Sequence, residues 1–125
     1  MKKEKRPGIW IGHVYRKVRD IKKSTAFFTK LGMNVFLETR SMAILELRGG
    51  THLLLFKDSA RNSWISEQEF DLMVKDIKKF HARLKKEKIT VSPLKKDHYH
   101  LTFKVTDPDG EKFVVYSDHT GRSLV

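Results

Sequence analysis

Residues 18–23 read VRDIKK, and residues 74–79 read VKDIKK, 56 positions further on. A hexapeptide that returns almost unchanged is the mark of an internal repeat, and its surroundings agree in kind. WIGHVYRKV precedes the first copy and EFDLMV the second, both β-favouring with partial alternation of apolar and polar residues. After the first copy, Asp20 is a natural helix N-cap. Ile21, Phe27, Phe28 and Leu31 then form an apolar stripe, and Gly32 stands where a helix end calls for positive φ. After the second, Asp76 caps and Ile77, Phe80 and Leu84 form the stripe, but Glu87-Lys88 stand where a glycine is expected.

The rest of each half reads as strands. The first half supplies NVFLET, SMAILELR, a Gly49-Gly50 turn and THLLLFKD; the second supplies ITVSP, HYHLTFKV, the turn DPDG and EKFVVYSD. Both halves thus run strand, helix, strand, strand, strand. The expected fold is α+β, with two βαβββ modules forming a cupped mixed sheet. Module one spans about 9–58, a polar linker about 59–68 and module two about 69–119, within a single domain of 125 residues. One such unit alone buries too little core to be stable, so the two are expected to cooperate around a shared concavity.

Composition narrows the class. With 39% hydrophobic and 33% charged residues the chain reads as an ordinary globular protein. It has no cysteine, which excludes disulfides, thiolate metal sites and a cysteine nucleophile, and fits a cytoplasmic location. The opening MKKEKRPG is basic, yet no apolar run of signal-peptide length follows, and no apolar run approaches a membrane span. Lysine and arginine outnumber aspartate and glutamate 26 to 15, a net charge of +11. The lysine pairs fall on expected helix faces and loops, and no nucleic-acid-binding motif accompanies them. Nucleic acid is therefore an unfavoured partner, and a small anionic or oxygen-rich ligand drawn in by the field is preferred.

The phrases HVYRKVRDIKKSTAFFTKLGM and VTDPDGEKFVVY resemble the vicinal oxygen chelate superfamily, which includes glyoxalase I, bleomycin- and fosfomycin-resistance proteins and extradiol dioxygenases. His-Val, Val-x-Asp-Ile, Ser-x-x-Phe-Phe, Leu-Gly-Met and Asp-Pro-Asp-Gly occur in that family's order over about residues 9–119. The resemblance implies paired βαβββ modules, commonly in homodimers, some of which exchange modules, and in many members a divalent metal in the cup. Function does not follow from it, because the scaffold hosts isomerases, transferases, oxygenases and simple binders.

The resemblance also implies where metal ligands belong. In module one the first-strand position is His13, and its repeat equivalent is Glu69, a hard donor and a possible general base. In the last strands the family's metalloenzymes carry glutamate at the positions held here by Leu54 and Val114. Both carboxylates are missing. Two ligands rarely hold a catalytic ion, so a Zn, Mn, Fe, Ni or Co site on His13 and Glu69 would be atypical.

Residues two apart in a strand share a face, which supplies further candidates. A pocket floor of His13, His52, Glu69 and His100 is expected, with Tyr15, Phe56, Lys112 and Tyr116 around it. His81 and His98 read as structural or solvent-facing, Trp10 and Trp64 as core or dimer-interface anchors, and Arg16 as an edge residue or an ion-pair partner of the facing helix. Two functions compete. One is a small-molecule enzyme with an atypical metal site in which Glu69 and His13 are catalytic. The other is a metal-free protein that sequesters a ligand. The sequence favours the first narrowly, on the two polar residues at repeat-equivalent positions.

Overall fold

The computed structural model describes residues 7–96 and 101–118. Module one consists of β1 (His13–Val18), α1 (Ile21–Leu31), β2 (Asn34–Glu38), β3 (Met42–Glu46) and β4 (His52–Lys57). Module two consists of β5 (Leu72–Val74), α2 (Ile77–Lys86), β6 (Lys95–Lys96), β7 (Leu101–Thr106) and β8 (Lys112–Ser117). The strand orders are β1-β4-β3-β2 and β5-β8-β7-β6. In each sheet the first strand pairs parallel with the last, and the remaining pairs are antiparallel. The α+β fold of two βαβββ modules is therefore present.

Local chemistry starts and stops the helices. The carboxylates of Asp20 and Asp76 accept the backbone N–H groups of Lys23 and Lys79 at 3.0 and 3.1 Å. Each satisfies a donor that the first turn leaves without an intrahelical partner. At the end of α1, Gly32 takes φ 124° and donates to the Thr29 carbonyl. At the end of α2 the left-handed position is taken by Lys88 at φ 62°, and Ile89 N–H closes onto Leu84 O at 3.0 Å. The reversal forms there without glycine.

Two strands differ from their expected limits. The ITVSP segment is joined to β7 only by an isolated bridge between Val91 and Val105, and the paired strand lies further on at Lys95–Lys96. Here the Ser92 hydroxyl takes the Lys104 N–H at 2.7 Å, where a ladder carbonyl would otherwise stand, and Pro93 has no N–H to give. β5 shrinks to three residues because the chain before it runs along the free edge of β1. Gln68 N–H donates to Tyr15 O, and the Gln68 side-chain carbonyl accepts Tyr15 N–H at 2.8 Å.

Strand alternation sorts each sheet into a packed and an open face. The packed faces carry Val18, Ala43, Leu45, Leu53 and Leu55 in one sheet, and Leu72, Phe103, Val105, Phe113 and Val115 in the other. Both sets join Ile21, Phe27, Phe28 and Leu31 of α1 and Ile77 and Leu84 of α2 in one hydrophobic core. Phe28 meets Phe113 edge-on at 5.7 Å, so α1 touches the sheet of module two. Among the described residues no helix is long and apolar enough to cross a membrane.

Candidate functional site

The parallel register of β1 and β4 sets His13 beside His52, Tyr15 beside Leu54 and Lys17 beside Phe56 on the open face of the first sheet. Ring centroids then follow one another from Phe36 to His52 (5.8 Å), His13 (6.0 Å), Tyr15 (6.3 Å), Phe56 (6.2 Å) and Trp64 (6.5 Å). Six rings form a continuous row across one face. Its ends are open, Phe36 being 73% and Trp64 76% exposed. Trp64 is thus not a core residue: it comes from the linker and covers the last ring of the row. Trp10 is likewise exposed at 67%.

The open face of the second sheet has a different chemistry. It carries Lys112, Val114 and Tyr116 of β8, Thr102 and Lys104 of β7, Lys95 of β6 and Met73 of β5. Val114 and Leu54 both hold open-face positions, as alternation requires, and place hydrocarbon there. His98, His100 and His119 lie outside the described residues.

Glu69 lines a hollow of ≈480 Å³ with Arg16, Asp71, Glu111, Lys112 and Phe113, and none of the ring row enters that lining. His13, expected to face Glu69 across one hollow, is not among the walls of this one. The physical reason is local. The short β5 begins only at Leu72, so Glu69 sits in the exposed approach to it rather than on a strand facing a partner. A second hollow, of ≈420 Å³, lies behind the sheets between the modules, walled by Val14, Leu31, Met33, Leu53, Leu72 and Phe80.

The described donors do not fit the family's metal. Among the described residues no three His, Asp or Glu side chains converge as a cation site. His13 and His52 are neighbours, but the third position that strand geometry offers them is Leu54.

Arg16, on the packed face of β1, is the polar residue that the sequence left without a full account. Its guanidinium lies over the Phe113 ring at 5.2 Å and pairs with Glu67 at 3.2 Å, the pair's carboxylate belonging to the linker rather than a helix. Near it, Asp107 of the DPDG turn is buried and accepts N–H bonds from Asp109 and Glu111 at 2.9 and 2.8 Å. Burial raises the Asp107 carboxyl pKa above the ordinary aspartate value, and the Asp109 charge adds to this. The two N–H bonds and Arg16 pull the other way. Among the residues that sequence reasoning passed over are Phe36, Lys95 and Lys104. Alternation within LTFKVT was the available signal for Lys104, whereas Phe36 sits at the register irregularity of β2 between Val35 and Leu37, and Lys95 needed the register of a strand that Ser92 displaces.

The fold, the repeat and the open strand faces define a paired-βαβββ protein. Residues 10–115 match the family model of the Glyoxalase/Bleomycin resistance protein/Dioxygenase superfamily, and the chain belongs to that superfamily. Among solved structures it is similar to the lactoylglutathione lyase of Agrobacterium tumefaciens, with TM-score 0.73 and 17% identity, covering 94% of this chain and 100% of that one. It is also similar to TnmS3, an antibiotic-binding protein from Streptomyces sp. CB03234, with TM-score 0.73, 18% identity and coverage of 90% and 98%. The bleomycin resistance determinant encoded on the transposon Tn5 superposes with TM-score 0.69 at 18% identity, covering 88% of this chain and 98% of its own. At such identities these likenesses show the fold alone. No curated protein sequence matches the chain.

Proposed function

We propose that this chain is a small-ligand-binding member of the superfamily, holding a flat, anionic or oxygen-rich molecule against the ring row without the family's metal. The observation that carries this reading is the pairing of an open six-ring face with hydrocarbon at Leu54 and Val114. Partly exposed rings gathered in such a row are poor solvent neighbours and good partners for another π-face. Imidazoles at the centre of the row, His13 and His52, donate or accept hydrogen bonds to ligand oxygens. A cytoplasmic homodimer completes the reading: Ile9, Trp10 and Ile11, 82%, 67% and 66% exposed, are an apolar run suited to a second copy. Likeness to an antibiotic-binding protein and to a bleomycin resistance determinant accords with sequestration.

An enzyme with an atypical metal site is the second reading, supported by Glu69 and Lys112 lining one hollow. Glu69 is its base or ligand, and His13 its acid/base partner. Fluorescence separates the two. In a Trp10→Phe background Trp64 is the remaining indole, because the chain has two tryptophans. Titration with planar aromatic carboxylates is expected to change Trp64 emission saturably, with or without chelator, and Phe56→Ala to abolish the change. Binding that requires added Zn, Mn, Fe, Ni or Co and disappears in Glu69→Gln would favour the enzyme instead.

A further inference from the structure

The open face of the second sheet carries a regularity that the ring row does not explain. Lys95 pairs with Thr102 across β6 and β7, Lys104 stands two residues beyond Thr102, and Lys112 pairs with Thr106, two residues beyond Lys104. Each step moves one strand sideways and two residues along. With strands about 4.8 Å apart and about 6.8 Å per residue pair, successive lysines stand about 8 Å apart on one straight diagonal. All three are exposed, and no ion pair engages them among the described residues. Within the four strands no acidic side chain holds an open-face position among those described.

We infer that this diagonal binds a small molecule carrying at least two anionic groups set about one lysine spacing apart. The inference rests on the reading above that the open strand faces carry the ligand, and it specifies that ligand's charge. Sulfonate, phosphate or carboxylate groups meet the chemistry, since an ammonium bonds each through charge-assisted contacts. Tyr116, Val114 and Met73 beside the lysines supply apolar surface for the body between the charges. The row is short and ends at Lys112, where Glu69, Asp71 and Glu111 line the same hollow. A long polyanion such as single-stranded nucleic acid would run from the last lysine onto these carboxylates, so a compact ligand is the occupant the charges fit.

A naphthalene series tests it with the flat body held constant: neutral 2-naphthalenemethanol, naphthalene-2-sulfonate and naphthalene-2,6-disulfonate, titrated by calorimetry at physiological salt. The disulfonate is expected to bind about tenfold more tightly than the monosulfonate, the worth of one charge-assisted contact. Lys104→Gln with Lys112→Gln should erase that gap and leave the neutral compound's affinity unchanged. Lys22→Gln with Lys78→Gln, on the helices, should leave the gap intact. Equal affinity for mono- and disulfonate overturns the inference, as does loss of the gap in the helix variant or no binding of any member. Tighter binding of single-stranded oligothymidylate than of the disulfonate overturns it in favour of nucleic acid. Disulfonate binding that the lysine variant removes and Phe56→Ala leaves untouched would sink the ring-row reading while the lysine site stands.

Discussion

Arg16 lies over the ring of Phe113 at 5.2 Å and so joins the first strand of one module to the last strand of the other. Its side chain is only 12% exposed, and its carboxylate partner Glu67 is 34% exposed. Of its contacts, the ring and the aliphatic stem matter more than the ion pair, because water screens Glu67. Arg16→Ala is expected to cost about 2 kcal/mol, and Arg16→Met, which keeps the stem on Phe113, about half of that. Urea denaturation of the two variants checks this. Equal losses would make the charge, not the packing, the useful part of the contact.

The Asp107 carboxyl gives the protein a defined acid-side dependence. Its pKa is raised in the folded state, so folded protein holds that proton more tightly than unfolded chain does. The stabilisation is fully present below the unfolded aspartate pKa of about 3.9 and is lost as pH rises through the folded pKa. Asp107→Asn keeps the carbonyl that accepts from Asp109 and Glu111 and removes the buried charge. The melting temperature of this variant relative to the parent should therefore climb between about pH 4 and neutrality. A difference that stays constant over this range would mean that Asp107 ionises without cost.

Within α1, Ser24 is fully buried and its hydroxyl has no hydrogen-bond partner among the described residues. A helix position facing an apolar core gains nothing from a hydroxyl that has left water unpaired. Ser24→Ala also improves helix propensity. The variant is expected to be more stable by about 1 kcal/mol, read as a higher denaturation midpoint at unchanged slope. A loss of stability would reveal a bound water or partner on Ser24.

The repeat was legible because caps and strand alternation are local. Asp20 and Asp76, Gly32 and the apolar stripes announce themselves within a few residues, and each is found where the pattern put it. What failed to show in the sequence depends on register or on distant partners. Lys88 takes a conformation that glycine normally signals, and Ser92 displaces a ladder bond with its hydroxyl, moving β6 along the chain. The ring row gathers residues from β1, β2, β4 and the linker, so it exists only once parallel pairing sets His13 against His52. Glu69 shows the converse. Repeat arithmetic made it the equivalent of His13, yet the strand it was assigned to starts three residues later.

Leu54 offers the most direct test of why the described donors do not fit the family's metal. It shares the open face with His52, two residues before it, and its partner in register is Tyr15, two residues beyond His13. Same-face neighbours of this kind stand about 7 Å apart at the backbone, within reach of a long side chain. Leu54→Glu therefore sets a carboxylate beside two imidazoles, a three-donor arrangement that leaves positions open for water. The leucine is half-buried, so the change is expected to lower stability by about 1–2 kcal/mol in the absence of metal. Zinc should then restore it, because an ion bound only by the folded chain raises the melting temperature with concentration. His52→Ala in the same background should abolish the rescue, whereas the parent chain should show no zinc-dependent rise. A rise of equal size in the parent would mean that donors outside Leu54's neighbourhood already hold the ion, and the metal-free reading would fall with it.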